Sequence, residues 1–247
     1  MGKRRLDVLL VERGLAESSE KARALAMAGA VLAGGRPVLK PGALLDPDAP
    51  LEVAQPSRYV GRGGEKLEHA LRVFGLDVNG LVAADIGAST GGFTDCLLQH
   101  GAARVYAVDV GRGQLDYRLR NDPRVVVMEG FNVRHLDALP EPVDLATVDV
   151  SFISLRLALP AVRGLLRPGA AIVALFKPQF EAKKSEVPRG GVVRDPLFHA
   201  TLIGRFAAWC VRHGFRVRGL TASPLLGASG NREFFFWLKP GEGTAAP

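Results

Sequence analysis

The chain has 247 residues, 47% of them hydrophobic and 23% charged, which excludes a disordered or fibrous protein and leaves room for an ordinary domain with a small companion. No apolar run reaches the ~18 residues of a membrane span, and Cys96 and Cys210 are too few for a disulfide framework or a zinc site. The net charge of +7 favours a polyanionic partner, and the absence of a secretory pattern after Met1 points to the cytoplasm. Residues 1–62 hold ten Lys/Arg against seven Asp/Glu (10 − 7 = +3), so the rest of the chain carries the other +4 and there is no basic tail.

Residues 1–54 read as a compact α+β domain. Leu6, Leu9, Leu10 and Arg13 recur at helical spacing, and Gly14 can end that helix. Ser18 can cap a second helix over 20–28, ended by Gly29. Apolar segments 30–32 and 36–39 flank Gly34 and Gly35, a hairpin signal, and 51–53 reads as a last short strand. Residues 55–62 read as a linker.

A helix over 61–76 leads into the second domain, 63–240. Strand-like runs follow at 81–86, 104–110, 124–129, 143–150, 170–176, 215–223 and 231–238, alternating with helical segments. Most are continuously apolar, as expected of a parallel sheet covered on both faces. The order predicts a seven-stranded, doubly wound, Rossmann-like α/β domain. Residues 179–193 lack periodicity and read as a long loop, and 241–247 as a disordered tail. Phe234 to Trp237 reads as a buried strand rather than a base-stacking platform.

The most informative stretch is the first of those strands and the turn after it. Asp85 and Gly87 end the apolar run, and Ser89, Gly91 and Gly92 lead into a helix. A dinucleotide site needs G-x-G-x-x-G; here Ser89 stands where the second glycine belongs. That spacing fits the looser turn of an S-adenosylmethionine (SAM) site better. Asp109 ends the second strand 22 positions after Gly87 (109 − 87), where a carboxylate can accept hydrogen bonds from ribose hydroxyls. Phe93 and Asn132 are candidates for the adenine pocket, with Phe93 equally readable as core.

Beyond these features, residues 1–54 resemble the small RNA-binding αL domain named after the fourth small-subunit ribosomal protein. The resemblance rests on Arg5-Leu6-Asp7, Leu10-Val11, Gly14-Leu15-Ala16, Ser18, Ala22, Gly29, Val31 and Lys40-Pro41-Gly42. It implies RNA contacts from Arg4, Arg5, Lys21 and Arg23, and Arg58 and Arg62 extend the candidate set. The second domain resembles the FtsJ-like 2′-O-methyltransferases. The two domains in this order resemble the TlyA family of ribosomal RNA methyltransferases, also named haemolysins. The motifs are Ser57-Arg58-Tyr59-Val60 with Arg62-Gly63-Gly64 and Lys66-Leu67, the Gly87–Asp95 turn, Val108 to Leu115, Val148 to Ser154, and Phe176 to Glu181.

The resemblance implies a Lys-Asp-Lys-Glu tetrad at Lys66, Asp149, Lys177 and Glu233, SAM as cofactor, and no metal. Ribosomal RNA or a ribosomal subunit would be the partner, with cytidine as the target. The chemistry is consistent with such a tetrad, because a neutral lysine can take the proton of an attacking ribose hydroxyl while acids hold the lysines in place. Lys177, at the end of a central strand beside Asp149, is the candidate base. The alternatives are an RNA base methyltransferase, an assembly factor with a vestigial SAM site, and a membrane-lytic protein. Against the first, Asp149-Val-Ser-Phe152 stands where an Asn/Asp-Pro-Pro-aromatic turn would be. The sequence leaves the oligomeric state open.

Overall fold

The computed structural model describes residues 2–27, 29–53 and 58–241. Residues 55–57 of the expected linker, the last residue of the expected second helix and most of the expected tail lie outside them. The chain divides into two compact units, Met1–Ser57 and Arg58–Pro247.

The first unit begins with β1 (Arg4–Arg5), α1 (Leu6–Glu12) and α2 (Ser19–Met27). Then come β2 (Val31–Ala33), β3 (Arg36–Pro37), β4 (Leu44–Leu45) and β5 (Leu51–Val53). Ser18 caps α2, its Oγ accepting from Lys21 N–H at 3.1 Å. Strands β3, β2 and β5 form a small antiparallel sheet around the Gly34–Gly35 turn. The β1–β4 pair had no signal in the sequence, since two-residue strands show no period. Leu6, Leu10, Ala22, Ala26 and Val31 form the core.

The second unit runs α3 (Arg62–Phe74), β6 (Val82–Ile86), α4 (Gly92–Gln99), β7 (Arg104–Asp109), α5 (Tyr117–Arg120) and β8 (Val125–Glu129). It continues β9 (Val143–Val148), α6 (Leu155–Gly164), β10 (Leu166–Phe176), α7 (Pro178–Glu181), α8 (Pro196–Arg212), β11 (Phe215–Ala222) and β12 (Phe234–Pro240). Among the described residues these strands form a seven-stranded sheet of order β11-β12-β10-β9-β6-β7-β8, with β12 antiparallel to both neighbours and the other neighbours of β6, β7 and β9 parallel. The fold is the doubly wound α/β class expected.

Alternation along each strand feeds two cores. Ile86, Val108, Val148 and Ile172 pack under α6 and α8, while Ala83, Val105, Leu145 and Val173 pack under α3 and α4. Phe235 and Phe236 are fully buried, so the Phe234–Trp237 run is core strand. Several boundaries differ from expectation: β10 starts at Leu166 rather than 170, with a register irregularity before Ala171, and β3 stops at Pro37. Strand β12 begins at Phe234 because residues 227–231 close a turn first, with Gly227 N–H donating to Asn231 O at 2.8 Å. The stretch 179–193 is not all loop: α7 opens on Pro178, which suits a first helical position, and a 3-10 turn follows at Lys184–Glu186.

The strand order reverses at β6. The chain steps outward through β7 and β8, then returns to place β9 on the other side. In open α/β sheets ligands bind beyond the carboxyl ends of the strands at such a switch.

Candidate active site

A cavity of about 490 Å³ lies at that switch, and Gly87, Ser89, Asp109, Asn132, Asp149 and Ser151 are among its lining residues. Gly87 turns the chain at φ +86°, and a Cβ there would stand 2.4 Å from the Asp149 carbonyl oxygen. Glycine is therefore required by conformation and by space. Ser89 also has positive φ, +50°, and its N–H donates to Asp109 Oδ2 at 2.8 Å. Gly111 N–H donates to Asp109 Oδ1 at 2.6 Å. Backbone donors thus fix the Asp109 carboxylate at the end of β7, and each oxygen keeps a lone pair for a ligand hydroxyl. Val110, Phe131, Val133 and Ile153 supply apolar walls, wide enough for a purine. Asn132 lines this part and holds its loop, its Oδ1 accepting from Arg134 N–H at 3.1 Å. A nucleoside with a cis-diol fits these groups, which is the chemistry SAM presents.

Four residues expected at the cofactor do other work. Phe93 is 3% exposed and packs against Phe235 with ring centroids 6.1 Å apart, so it is core. Gly91, φ +98°, begins α4, and a Cβ there would strike Leu119 at 2.2 Å. Gly92 lets α4 approach α3, with Gly64 N only 3.0 Å from the position of a Cβ. Asp85 lies fully buried beneath the turn and accepts from Thr94 Oγ1 at 2.7 Å and Thr147 Oγ1 at 3.1 Å. Burial pushes its carboxyl up to about 7, the threonine hydrogen bonds oppose that shift, and Asp149 adds to it.

The chemistry-bearing residues gather at the same sheet edge. Asp149 follows β9, Lys177 follows β10, and Glu233 precedes the antiparallel β12. The last β10–β12 pair is Phe176–Phe234, so Lys177 and Glu233 stand one step beyond it. Lys177 Nζ lies 2.5 Å from Asp149 Oδ1 and donates to Ser151 Oγ at 2.8 Å. Lys66, reaching from α3, bonds Glu233 Oε2 at 2.6 Å. This second pair is sealed, with Lys66 8% and Glu233 3% exposed. Asp149 does not cap α6. Ser154 does, its Oγ accepting from Arg156 N–H at 3.1 Å.

Three residues escaped the sequence reading as functional candidates. Ser151 touches Lys177. Phe152 stands at φ +68° and is 87% exposed on the cavity wall, its ring 5.3 Å from that of Phe180. Glu181 accepts from Ser154 Oγ and Leu155 N–H, both at 2.6 Å. All three fall inside quoted motifs, but only the folded contacts give them distinct tasks.

The six basic candidates for RNA differ in their engagements. Arg5 grips the buried Asp7 at 2.7 and 3.0 Å, and Arg23 touches it at 3.3 Å. The Arg5 hydrogen bond is the main cause that holds the Asp7 carboxyl down to about 2. Arg4 pairs with Glu12, and Arg58 with Glu68. These four arginines are partly committed to their own fold, though each remains accessible. Lys21 and Arg62 are exposed.

The comparisons agree with this geometry. The model of the FtsJ-like methyltransferase family matches residues 59–240, and that of the S4 domain matches residues 4–50. The protein YqxC of Bacillus subtilis is 52% identical over 246 residues, covering 98% of this chain and 88% of its own length. A Mycobacterium tuberculosis protein named 16S/23S rRNA (cytidine-2′-O)-methyltransferase TlyA is 47% identical over 239 residues, covering 95% and 89%. The solved structure of a hemolysin-named protein from Streptococcus thermophilus superposes with a TM-score of 0.77 at 44% identity, covering 98% of this chain and 90% of its own. Among the described residues no helix is long and apolar enough to cross a membrane. The chain belongs to the TlyA family of FtsJ-like methyltransferases, with an S4 domain ahead of the methyltransferase domain.

Proposed function

We propose that this protein transfers a methyl group from SAM to the 2′-hydroxyl of a cytidine ribose in ribosomal RNA, in the cytoplasm. The observation that carries the reading is the Lys177–Asp149 pair, whose Asp149 lines the same cavity as Asp109. Gly87, Ser89, Asp109 and Asn132 would hold the cofactor, with Asp109 on the ribose hydroxyls. SAM supplies an electrophilic methyl carbon whose sulfur leaves with the bonding electron pair.

Lys177, as the neutral amine, takes the proton of the 2′-hydroxyl while the new carbon–oxygen bond forms. Asp149 then stabilises the resulting ammonium. Lys66 and Glu233 hold the neighbouring positive field in a fixed place. General-base help of this kind is worth ~10² to 10⁴-fold, and orientation of the hydroxyl adds to it. Phe152 offers an exposed aromatic face on the cavity wall, next in the chain to Ser151, for the target base. Lys183, Lys184, Arg189 and Arg194, exposed on the segment after α7, suit an RNA backbone, as do Lys21 and Arg62.

Carbon-5 base methylation would need a cysteine nucleophile. Cys96 and Cys210 are both buried, and burial pushes each thiol up to about 12, where no useful thiolate exists. The test is methyl transfer from radiolabelled SAM to ribosomal subunits lacking the modification, followed by nucleoside mass spectrometry. Labelled 2′-O-methylcytidine is the expected product. Label on a base would overturn the reaction, and label on another ribose would overturn only the target.

A further inference from the structure

We propose that Ser151 is a positioning residue that aims the lone pair of Lys177 at the ribose hydroxyl. The inference rests on Lys177 being the base and adds the group that orients it. A lysine side chain is long and its terminal amine turns freely about the last carbon–nitrogen bond. One acceptor leaves that rotation open. A charged group at a second fixed place narrows it. Lys177 Nζ donates a hydrogen bond to Ser151 Oγ at 2.8 Å and stands in ionic contact with Asp149 Oδ1 at 2.5 Å. A neutral amine has two N–H bonds and one lone pair on a tetrahedral nitrogen. With one hydrogen given to Ser151 and the carboxylate repelling the lone pair from its own side, the lone pair is turned away from both. Asp149 and Ser151 are lining residues of the cavity.

The backbone shows why Ser151 can serve as a fixed point. Asp149 N–H donates to Ile86 O at 2.8 Å, which ties the start of its segment to β6. At the other end Glu181 holds Ser154 Oγ and Leu155 N–H. Lys177 and Glu181 lie on one continuous short segment, so the same piece of chain grips residues 149–155 at both ends. Between the grips Phe152 is held at φ +68°, a left-handed conformation that a bulky residue keeps only when its surroundings impose it. That kink sets the adjacent Ser151.

In the reaction the 2′-oxygen forms its bond to the methyl carbon and the carbon–sulfur bond breaks, its electron pair leaving with the sulfur. The hydroxyl proton passes to the Lys177 nitrogen. The ammonium so formed keeps its hydrogen bond to Ser151 and its ionic contact with Asp149, so no atom of the pair has to move during transfer. An alanine at 151 would leave the amine free to turn, and only a fraction of bound complexes would present the lone pair.

The experiment measures methyl transfer to unmodified ribosomal subunits by Ser151→Ala and Ser151→Thr, with SAM affinity by titration and melting temperature alongside. Ser151→Ala is expected to lower kcat by about 10- to 30-fold, the effect of one hydrogen bond to a charged group. The KM for subunits, the SAM Kd and the melting temperature should stay within about twofold or a degree or two of the parent. Ser151→Thr, which restores the hydroxyl, should recover most of the rate. Full activity in Ser151→Ala overturns the proposal. So does a loss of SAM affinity matching the loss of rate, which would make Ser151 a cofactor ligand, or a threonine variant as slow as the alanine one. An active Lys177→Ala would instead remove the base assignment on which the proposal stands.

Discussion

The sheet end carries two lysine–carboxylate pairs, and the burial of their carboxylates separates them. The lysine side chains are alike, 10% exposed for Lys66 and 11% for Lys177, but Glu233 is sealed at 4% while Asp149 is 24% exposed and lines a cavity. A sealed pair has its partners fixed: each charge is satisfied by the other, and neither can exchange a proton without leaving a buried charge alone. A pair on a cavity wall can add a third participant. In the proposed reaction proton transfer therefore falls to Lys177, the candidate base from the sequence, and the standing charge to Lys66.

The sharpest way to break this contrast is Lys177→Ala. Loss of the base is expected to cut methyl transfer about 10³-fold, in the middle of the range for general-base catalysis. SAM binding should stay within a few-fold, because the groups proposed to hold it lie at the ends of β6, β7 and β8 and in the turns after them. Parallel loss of activity and SAM affinity would mean that Lys177 organises the cavity rather than acting in it.

The sealed pair responds differently. Glu233→Ala leaves the Lys66 ammonium buried without its partner and is expected to destabilise the second unit by roughly 3–5 kcal/mol, read by denaturant unfolding. Combining Lys66→Met with Glu233→Leu removes both charges and should restore much of that stability. The double variant then decides the role of the pair. A stable but inactive protein means the chemistry needs the field of Lys66. A stable and active one reduces the pair to a structural tie, and the contrast with Lys177 becomes absolute.

These differences explain how much the sequence could reveal. The strands were legible because continuous apolar runs bounded by glycine turns are local signals. The Gly87 turn and Asp109 were legible for the same reason, since their spacing along the chain is their geometry. The tetrad had to come from resemblance, because its partners are far apart in sequence: Lys66 and Glu233 meet only when α3 packs beside the start of β12. Phe93, left open between pocket and core, and the packing tasks of Gly91 and Gly92 were hard to read for a related reason. A residue next to a ligand turn and a residue under it have the same sequence signature, and only the register of α4 against α3 and β12 separates them. Ser151 lay inside a quoted motif, but nothing local gave its task, which is defined by where Lys177 arrives from β10.

Asp85 sharpens the contrast from beneath the turn, as a buried carboxyl that accepts from the Thr94 and Thr147 hydroxyls and pairs with no cation among the described residues. Its unfolded value is near 4 and its folded value about 7, so between those pH values the unfolded chain has released a proton that the folded chain keeps. Folding stability therefore falls as pH rises from about 4 to about 7 and levels off above, by up to about 4 kcal/mol from this group. Asp85→Asn keeps a neutral group of the same shape and can still accept from Thr94 or Thr147. It should flatten this part of the pH dependence and raise the melting temperature at pH 8 more than at pH 5. If the variant is instead destabilised equally at both, the ionised carboxylate is not what costs stability. The threonine bonds would then need both oxygens of the acid, and Asp85 would serve the turn as a fixed acceptor whatever its charge.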